Sequence, residues 1–362
     1  MRAADEAEAR GDPSAALGII SREPLGEDGQ LFWRPWRITG LEQLIVLEPL
    51  LPRWVTSRWI LDQAAHAFDP SMRRGRAAAL AAAVELRGGR KALPGVDEAD
   101  AIGRVVDGDW VYRQLYLYDH GGLATFLRGA AAPDLLAGAD RIREWADAPM
   151  RALRLDARAP VVLHWTDVGT GAPVVVPDLG GAALVERGET VLGRLVPASD
   201  GSMFEGTPLP VPPEVAAAVA ADPDDWSGAL RRCRPDAERC WATLMRGSHL
   251  VTDVPQLVWQ LAAVEWGGRL DPAALTPGVL AGAGASMVRA ALRGDLEAVD
   301  DDSGPDLWPC VAAVLCDPPM LERLVEELRP ADVPDLLALA DRLFGPAAAV
   351  CRELASAARA AA

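Results

Sequence analysis

Asp119 and His120, followed at once by Gly121 and Gly122, form the polar pair of this chain best suited to proton transfer. A carboxylate can orient an imidazole so that the ring exchanges a proton near neutral pH, and glycines let a substrate approach. The same four residues also have an ordinary structural use. Glycines end helices, and a histidine near a helix C-terminus complements the dipole. No nucleophile or second ligand stands beside the pair, so Asp119 and His120 are the candidates of an enzyme reading only.

The second cluster is aromatic and basic. Trp33, Arg34, Trp36 and Arg37 crowd into five residues, and Trp54 and Trp59 follow. Trp and Arg dominate binding hot spots, so Trp33, Arg34, Trp36 and Arg37 are the candidate binding residues for a protein partner. They fall in a Pro-interrupted stretch ahead of a helix expected from Gly40 to Leu50. Trp54 and Trp59 sit among aliphatics at helical spacing and are assigned to the core. Arg58 lies four residues after Trp54, which predicts a cation–π contact. Arg73, Arg74 and Arg76 open the helix expected from Ser71 to Arg87, where their charge opposes the dipole; they read as a solvated face rather than an anion site.

Other chemistries fail on residue type. Lys91 is the only lysine, and Ala92 follows it, so no phosphate-binding loop is present. Asparagine is absent altogether. Both depleted residues have AT-rich codons, which points to a GC-rich bacterial genome. Cys233, Cys240, Cys310, Cys316 and Cys351 include no pair at zinc-knuckle spacing, and buried thiols in a reducing compartment are expected. Asp300, Asp301 and Asp302 lack the alternating ligands and closing Glu of a calcium loop. No His-Glu-x-x-His, Gly-x-Ser-x-Gly or Gly-x-Gly-x-x-Gly is found in the required context. No cofactor is therefore expected.

The net charge is −16. Residues 1–159 carry 21 Arg/Lys against 23 Asp/Glu, and the rest carry 15 against 29, so nearly all the excess lies in the second part. Nucleic acid and anionic membranes need a positive footprint, so neither is an expected partner. The stretch Met1–Arg10 is charged rather than apolar, and no run approaches 18 apolar residues. A cytoplasmic protein is expected.

At 362 residues the chain exceeds one ordinary core. The elements that must position the candidate residues are mostly helices rich in Ala, Leu, Arg and Glu. Asp109 is placed to cap a helix carrying all three tyrosines, Tyr112, Tyr116 and Tyr118. Between Pro160 and Pro213 the pattern changes to short β-branched runs broken by Gly and Pro. Strands are expected at 161–166, 173–177, 183–186 and 190–196 and around Met203, with one of His164 and Trp165 facing the core and the other solvent. Beyond it, helices are expected at 213–221, 225–233, 236–246, 253–266, 271–294 (broken at Pro277 and Gly282), 306–315, 320–328, 333–343 and 346–361.

The β stretch resembles a compact β module of uncharacterised bacterial proteins from high-GC genomes, some of which carry a SecA-type C-terminal zinc motif. Asp167, Gly169, Gly171, Asp178-Leu179, Gly193-Arg194-Leu195-Val196-Pro197 and Asp200-Gly201 carry the resemblance, over about 50 residues. The zinc motif itself is missing, so the resemblance brings no metal site and no activity.

The expected fold is therefore mostly α: a helical unit over 1–159, a small antiparallel β module (meander or small barrel) over 160–213, and a helical unit over 214–362. The expected function is a non-catalytic interaction or adaptor protein, with an enzyme using Asp119 and His120 as the alternative.

Overall fold

The computed structural model describes residues 2–22, 35–46, 53–67, 69–93, 98–158, 162–177, 185–199, 201–232, 277–294, 311–312, 314–315, 318–343 and 345–360. They form a mostly α protein with a six-stranded antiparallel sheet that stays open rather than closing into a barrel. The expected helices at 236–246 and 253–266, Asp300–Asp302, and Cys233, Cys240, Cys310 and Cys316 lie outside the described residues. Of the strand expected at 183–186, residues 183 and 184 also lie outside the described residues, while Val185 and Glu186 are described and belong to no strand.

The first helices are α1 (Arg2–Ala9), α2 (Pro13–Ile20), α3 (Pro35–Val46), α4 (Arg53–His66), α5 (Arg73–Leu86) and α6 (Glu98–Gly108). Local chemistry sets their ends. The Asp12 carboxylate accepts the Ala15 N–H at 2.8 Å, and Pro13 supplies a preset first helical residue to α2. Pro35 does the same for α3, which starts earlier than Gly40 and takes in Trp36 and Arg37.

The next helix, α7 (Trp110–Gln114), is capped as expected, with Asp109 accepting the Tyr112 N–H at 2.6 Å. It runs straight into a π-helical turn, Leu115–Asp119. After it come α8 (Gly122–Gly129), α9 (Pro133–Gly138) and α10 (Ile142–Trp145). The stretch from Pro133 to Trp145 forms two helices rather than one. It is split because Arg141 adopts a left-handed φ of 49°, and Asp140 is tied to Ser57 of α4 and to Ser199.

The strands are β1 (Met150–Arg158), β2 (Val162–Asp167), β3 (Pro173–Pro177), β4 (Thr190–Ala198), β5 (Gly201–Phe204) and β6 (Leu209–Val211). The sheet starts at Met150, inside the stretch assigned to helices, and β1 is its centre. The path runs β3-β2-β1-β4-β5, with β6 also paired to β4. Thus β1, β2 and β3 form a meander, and β4 returns to the other side of β1.

β1 is covered on both faces. Met150 and Ala152 join the main core, while Leu153 and Leu155 join a smaller one with Trp165 and Phe204. His164 points to solvent and Trp165 is buried, as the alternation along β2 predicts.

Two further helices follow, α11 (Pro213–Ala221), which packs on β1 and β4, and α12 (Trp226–Arg232), which packs on α11. The main core therefore runs from Ile60 of α4 to Leu230 of α12, joining helices on both sides of the sheet in sequence. Its fully buried aromatics include Tyr112, Tyr116, Trp145 and Trp226, each adding about 3 kcal/mol by area removed from water.

Near the other end of the chain, helices Pro277–Leu292, Pro318–Val325, Val333–Arg342 and Gly345–Ala360 share a separate core that includes Met287, Leu324, Leu336 and Cys351. Gly282 does not interrupt the first of them. Among the described residues no helix is long and apolar enough to cross a membrane.

Candidate functional site

The π turn decides where the polar residues of α7 end up. An extra residue in one turn shifts the phase of Tyr118 and Asp119, and such turns recur at functional sites. The turn ends at His120, Gly121 takes a left-handed φ of 71°, and α8 begins. Gly122 is obligatory for a different reason. A Cβ there would lie 2.7 Å from the Tyr116 carbonyl oxygen.

Asp119 does not orient His120. Its Oδ1 accepts Nη2 of Arg194 at 2.7 Å, and its Oδ2 accepts the indole N–H of Trp226 at 2.9 Å. Arg194 stands on β4 and is 5% exposed, and Trp226 opens α12 and is 1% exposed. The carboxylate therefore ties the π turn to the sheet and to the last helix of the main core. Its side chain keeps 32% exposure. His120 is exposed beside Gly75 of α5, and its ring has no hydrogen-bond partner among the described residues.

Arg194 is the hub of the arrangement. Nε donates to Gln114 Oε1 at 2.9 Å, Nη1 donates to the Ala148 carbonyl at 2.5 Å, and the guanidinium lies 4.3 Å from the centre of the Tyr118 ring. Each of its three nitrogens thus donates a hydrogen bond, which is what a buried cation requires. Gln114 passes the contact on by donating to Glu205, whose own N–H donates to the Arg194 carbonyl at 3.1 Å. Arg58 donates to the carbonyls of Glu205 and Phe204 at 3.0 and 3.1 Å. It also stacks 4.8 Å from the Trp54 ring, the cation–π contact predicted by their spacing.

The tyrosines feel this burial. Burial, with Glu205 nearby, pushes Tyr118 well above the ordinary phenol range against the opposing pull of Arg194. Its buried hydroxyl sits by Glu205 without a well-formed hydrogen bond. On the other side of the helix Tyr112 and Tyr116 stack at 5.7 Å, and burial pushes Tyr112 up to about 12. Tyr116 is raised too, again by burial first. Held as phenols, these groups are poor proton acceptors at neutral pH.

Of the aromatic–basic cluster, Trp33 and Arg34 lie outside the described residues, and so does the side chain of Trp36. Arg37 has a structural role. Nε donates to Glu8 Oε1 at 2.7 Å and Nη2 to Asp5 Oδ1 at 2.6 Å, joining α3 to α1. The Trp59 indole N–H donates to the other Glu8 oxygen at 3.0 Å. Trp54 and Trp59 are half-buried against the main core.

The structure adds Arg194 and Trp226 as partners of Asp119, with Gln114 and Glu205 behind Arg194, all of which sequence reasoning missed. One signal was available: Arg194 is a lone charge in the apolar run Val191 to Val196. Among the described residues no three His, Cys, Asp or Glu side chains gather as a metal site would require. Comparison with protein-family models, curated proteins and solved structures gives no match, so neither family nor function reaches this chain by similarity.

Proposed function

We propose that this chain is a non-catalytic interaction protein of the bacterial cytoplasm that binds a protein partner. The observation that carries the reading is the double engagement of Asp119 by Arg194 and Trp226. Both carboxylate oxygens hold elements together, and among the described residues neither accepts a hydrogen bond from His120. The enzyme reading is left without the carboxylate that would orient His120, an exposed histidine at a helix end. The net charge of −16 favours a protein over nucleic acid or an anionic surface. Arg37 is drawn into α1, which leaves Trp33, Arg34 and Trp36 as the contact residues of the candidate cluster. The sheet is read as the β module of the bacterial proteins it resembles, with no activity carried over.

Purification of the full chain from its native host tests this. A stoichiometric protein partner that is lost on Trp36→Ala, with an unchanged melting temperature, is the expected result. A retained small molecule, released by Asp119→Ala or His120→Ala, would overturn it in favour of the enzyme.

A further inference from the structure

The first turn of α5 gathers positive charge. Arg73, Arg74 and Arg76 open the helix and no acidic residue stands in that turn. Side chains tilt toward a helix N-terminus, so the three arginines lean to one end. The fold brings further basic groups to them. A Cβ at Gly75, the residue between Arg74 and Arg76, would lie 3.0 Å from the Cβ of His120, so the end of the π turn rests directly on this helix. Arg128 of α8 donates to the Thr125 hydroxyl at 3.4 Å, and that hydroxyl donates to the Met72 sulfur at 3.4 Å. A fourth arginine thus stands beside the start of α5.

Little of this charge is used inside the protein. Arg73, Arg74 and His120 are exposed, and none has a hydrogen-bond or ion-pair partner among the described residues. The neighbouring carboxylates are engaged elsewhere. Asp69 accepts the N–H and hydroxyl of Ser71 at 2.8 and 2.7 Å, and Asp119 holds Arg194 and Trp226. Arg76 donates to the Ala67 carbonyl at 3.4 Å and lies 6.0 Å from the centre of the Tyr116 ring, at the edge of the patch. Cations in a first helical turn oppose the dipole, so Arg73 and Arg74 cost their own helix stability.

Unpaired cations that weaken their own element fit a ligand outside the fold. That ligand is negative and short. A nucleic-acid binder that neutralises about six to ten phosphates needs a wider footprint than four arginines give. The net charge of −16 also repels a long polyanion or an anionic membrane wherever it passes the patch by more than a Debye length of about 8 Å. A short carboxylate-rich segment meets the patch alone, and each arginine fork matches a carboxylate. We propose that Arg73, Arg74, Arg128 and His120 receive an acidic segment of the protein partner. This rests on the protein-partner reading above, to which it adds the partner's chemistry.

The full chain is titrated at low salt with a labelled peptide of alternating Glu and Gly, and with a single-stranded oligonucleotide of the same charge. The parent should bind the peptide, and Arg73→Ala/Arg74→Ala should bind it about tenfold more weakly. The double variant should melt at or above the parent, since two cations leave the first turn of α5. Equal peptide binding by parent and variant, or none by the parent, overturns the proposal. So does a variant that melts well below the parent, because the two side chains would then serve the fold. Tighter binding of the oligonucleotide overturns it in favour of a nucleic-acid surface. The titration contains no native partner, so its failure leaves the proposed function to its own test with Trp36→Ala. In the native-host purification, a partner retained undiminished by the double variant overturns the patch and leaves that function standing.

Discussion

Arg194 Nη2 and Asp119 Oδ1 lie 2.7 Å apart, joining the middle of a strand to the end of a π turn 75 residues earlier. The pair is asymmetric. Arg194 is almost wholly buried, while Asp119 keeps a third of its side chain in water. Removing Asp119 therefore strands a buried guanidinium and an indole N–H, whereas removing His120 strands nothing. Asp119→Ala should lose about 2 kcal/mol in chemical denaturation, below the range for a fully buried pair because water can reach the vacated site. The emission of Trp226 should shift to the red. His120→Ala should stay within about 0.5 kcal/mol of the parent. Equal losses in the two variants would contradict this account of the site.

All three tyrosines of the chain lie in this one helix, and all are raised. In a spectrophotometric titration of the folded protein no phenol should ionise at its ordinary value near 10, and Tyr112 should follow at about 12. In denaturant the three should titrate together near 10. The sign for stability follows from linkage. The folded state holds these protons more tightly, so the contribution is complete below pH 10 and is lost as pH rises from there through the folded values. An ordinary phenol titration in the native protein would show the tyrosines to be exposed.

Asp167 works in the opposite direction. Burial favours its neutral form, but the N–H and hydroxyl of Thr170 and the Arg151 guanidinium outweigh burial and hold its pKa below the usual carboxylate value. These contacts lock the β2–β3 turn, at 2.9 Å, 3.0 Å and 3.0 Å respectively. The stabilisation is present above the unfolded value near 4 and disappears as pH falls through the folded one. Asp167→Asn should flatten the acid limb of the stability curve below pH 4. An unchanged acid limb would show that the turn does not depend on the charge.

Gly122 offers a purely steric test. Gly122→Ala places a methyl group within 2.7 Å of the Tyr116 carbonyl and about 3.1 Å from its ring. The backbone at the end of the π turn must move, at a cost of about 2 kcal/mol. A melting temperature equal to the parent's would mean that the turn is soft.

These positions differ in how far the sequence disclosed them. The Asp12 and Asp109 caps and the Pro213 start rest on neighbours within four residues, and β2 and β3 show β-branched runs between Gly turns. Such local chemistry is readable. β1 was not, because Met150-Arg151-Ala152-Leu153-Arg154-Leu155 is composed largely of good helix formers. Burial of both its faces also erases the alternation that marks a strand. The site was half visible. Asp119 stands out beside His120 and two glycines, but its partners lie 75 and 107 residues away, where no spacing rule reaches.

The aromatic–basic segment gives the decisive comparison for function. Trp54 packs on the main core, carries Arg58 on its ring, and through Arg58 supports the end of β5. Trp54→Ala should therefore cost about 3 kcal/mol, near the lower end for a large aromatic because the ring is only half-buried. Arg37→Ala should also act on stability, since it releases the α1–α3 contact with Asp5 and Glu8. Trp36→Ala is assigned the other behaviour, loss of a partner with an unchanged melt. Paired melts and pull-downs of the three variants check the assignment. If Trp36→Ala melts as low as Trp54→Ala and binds as the parent does, the segment is core throughout. The proposed interaction surface would then lose its residues.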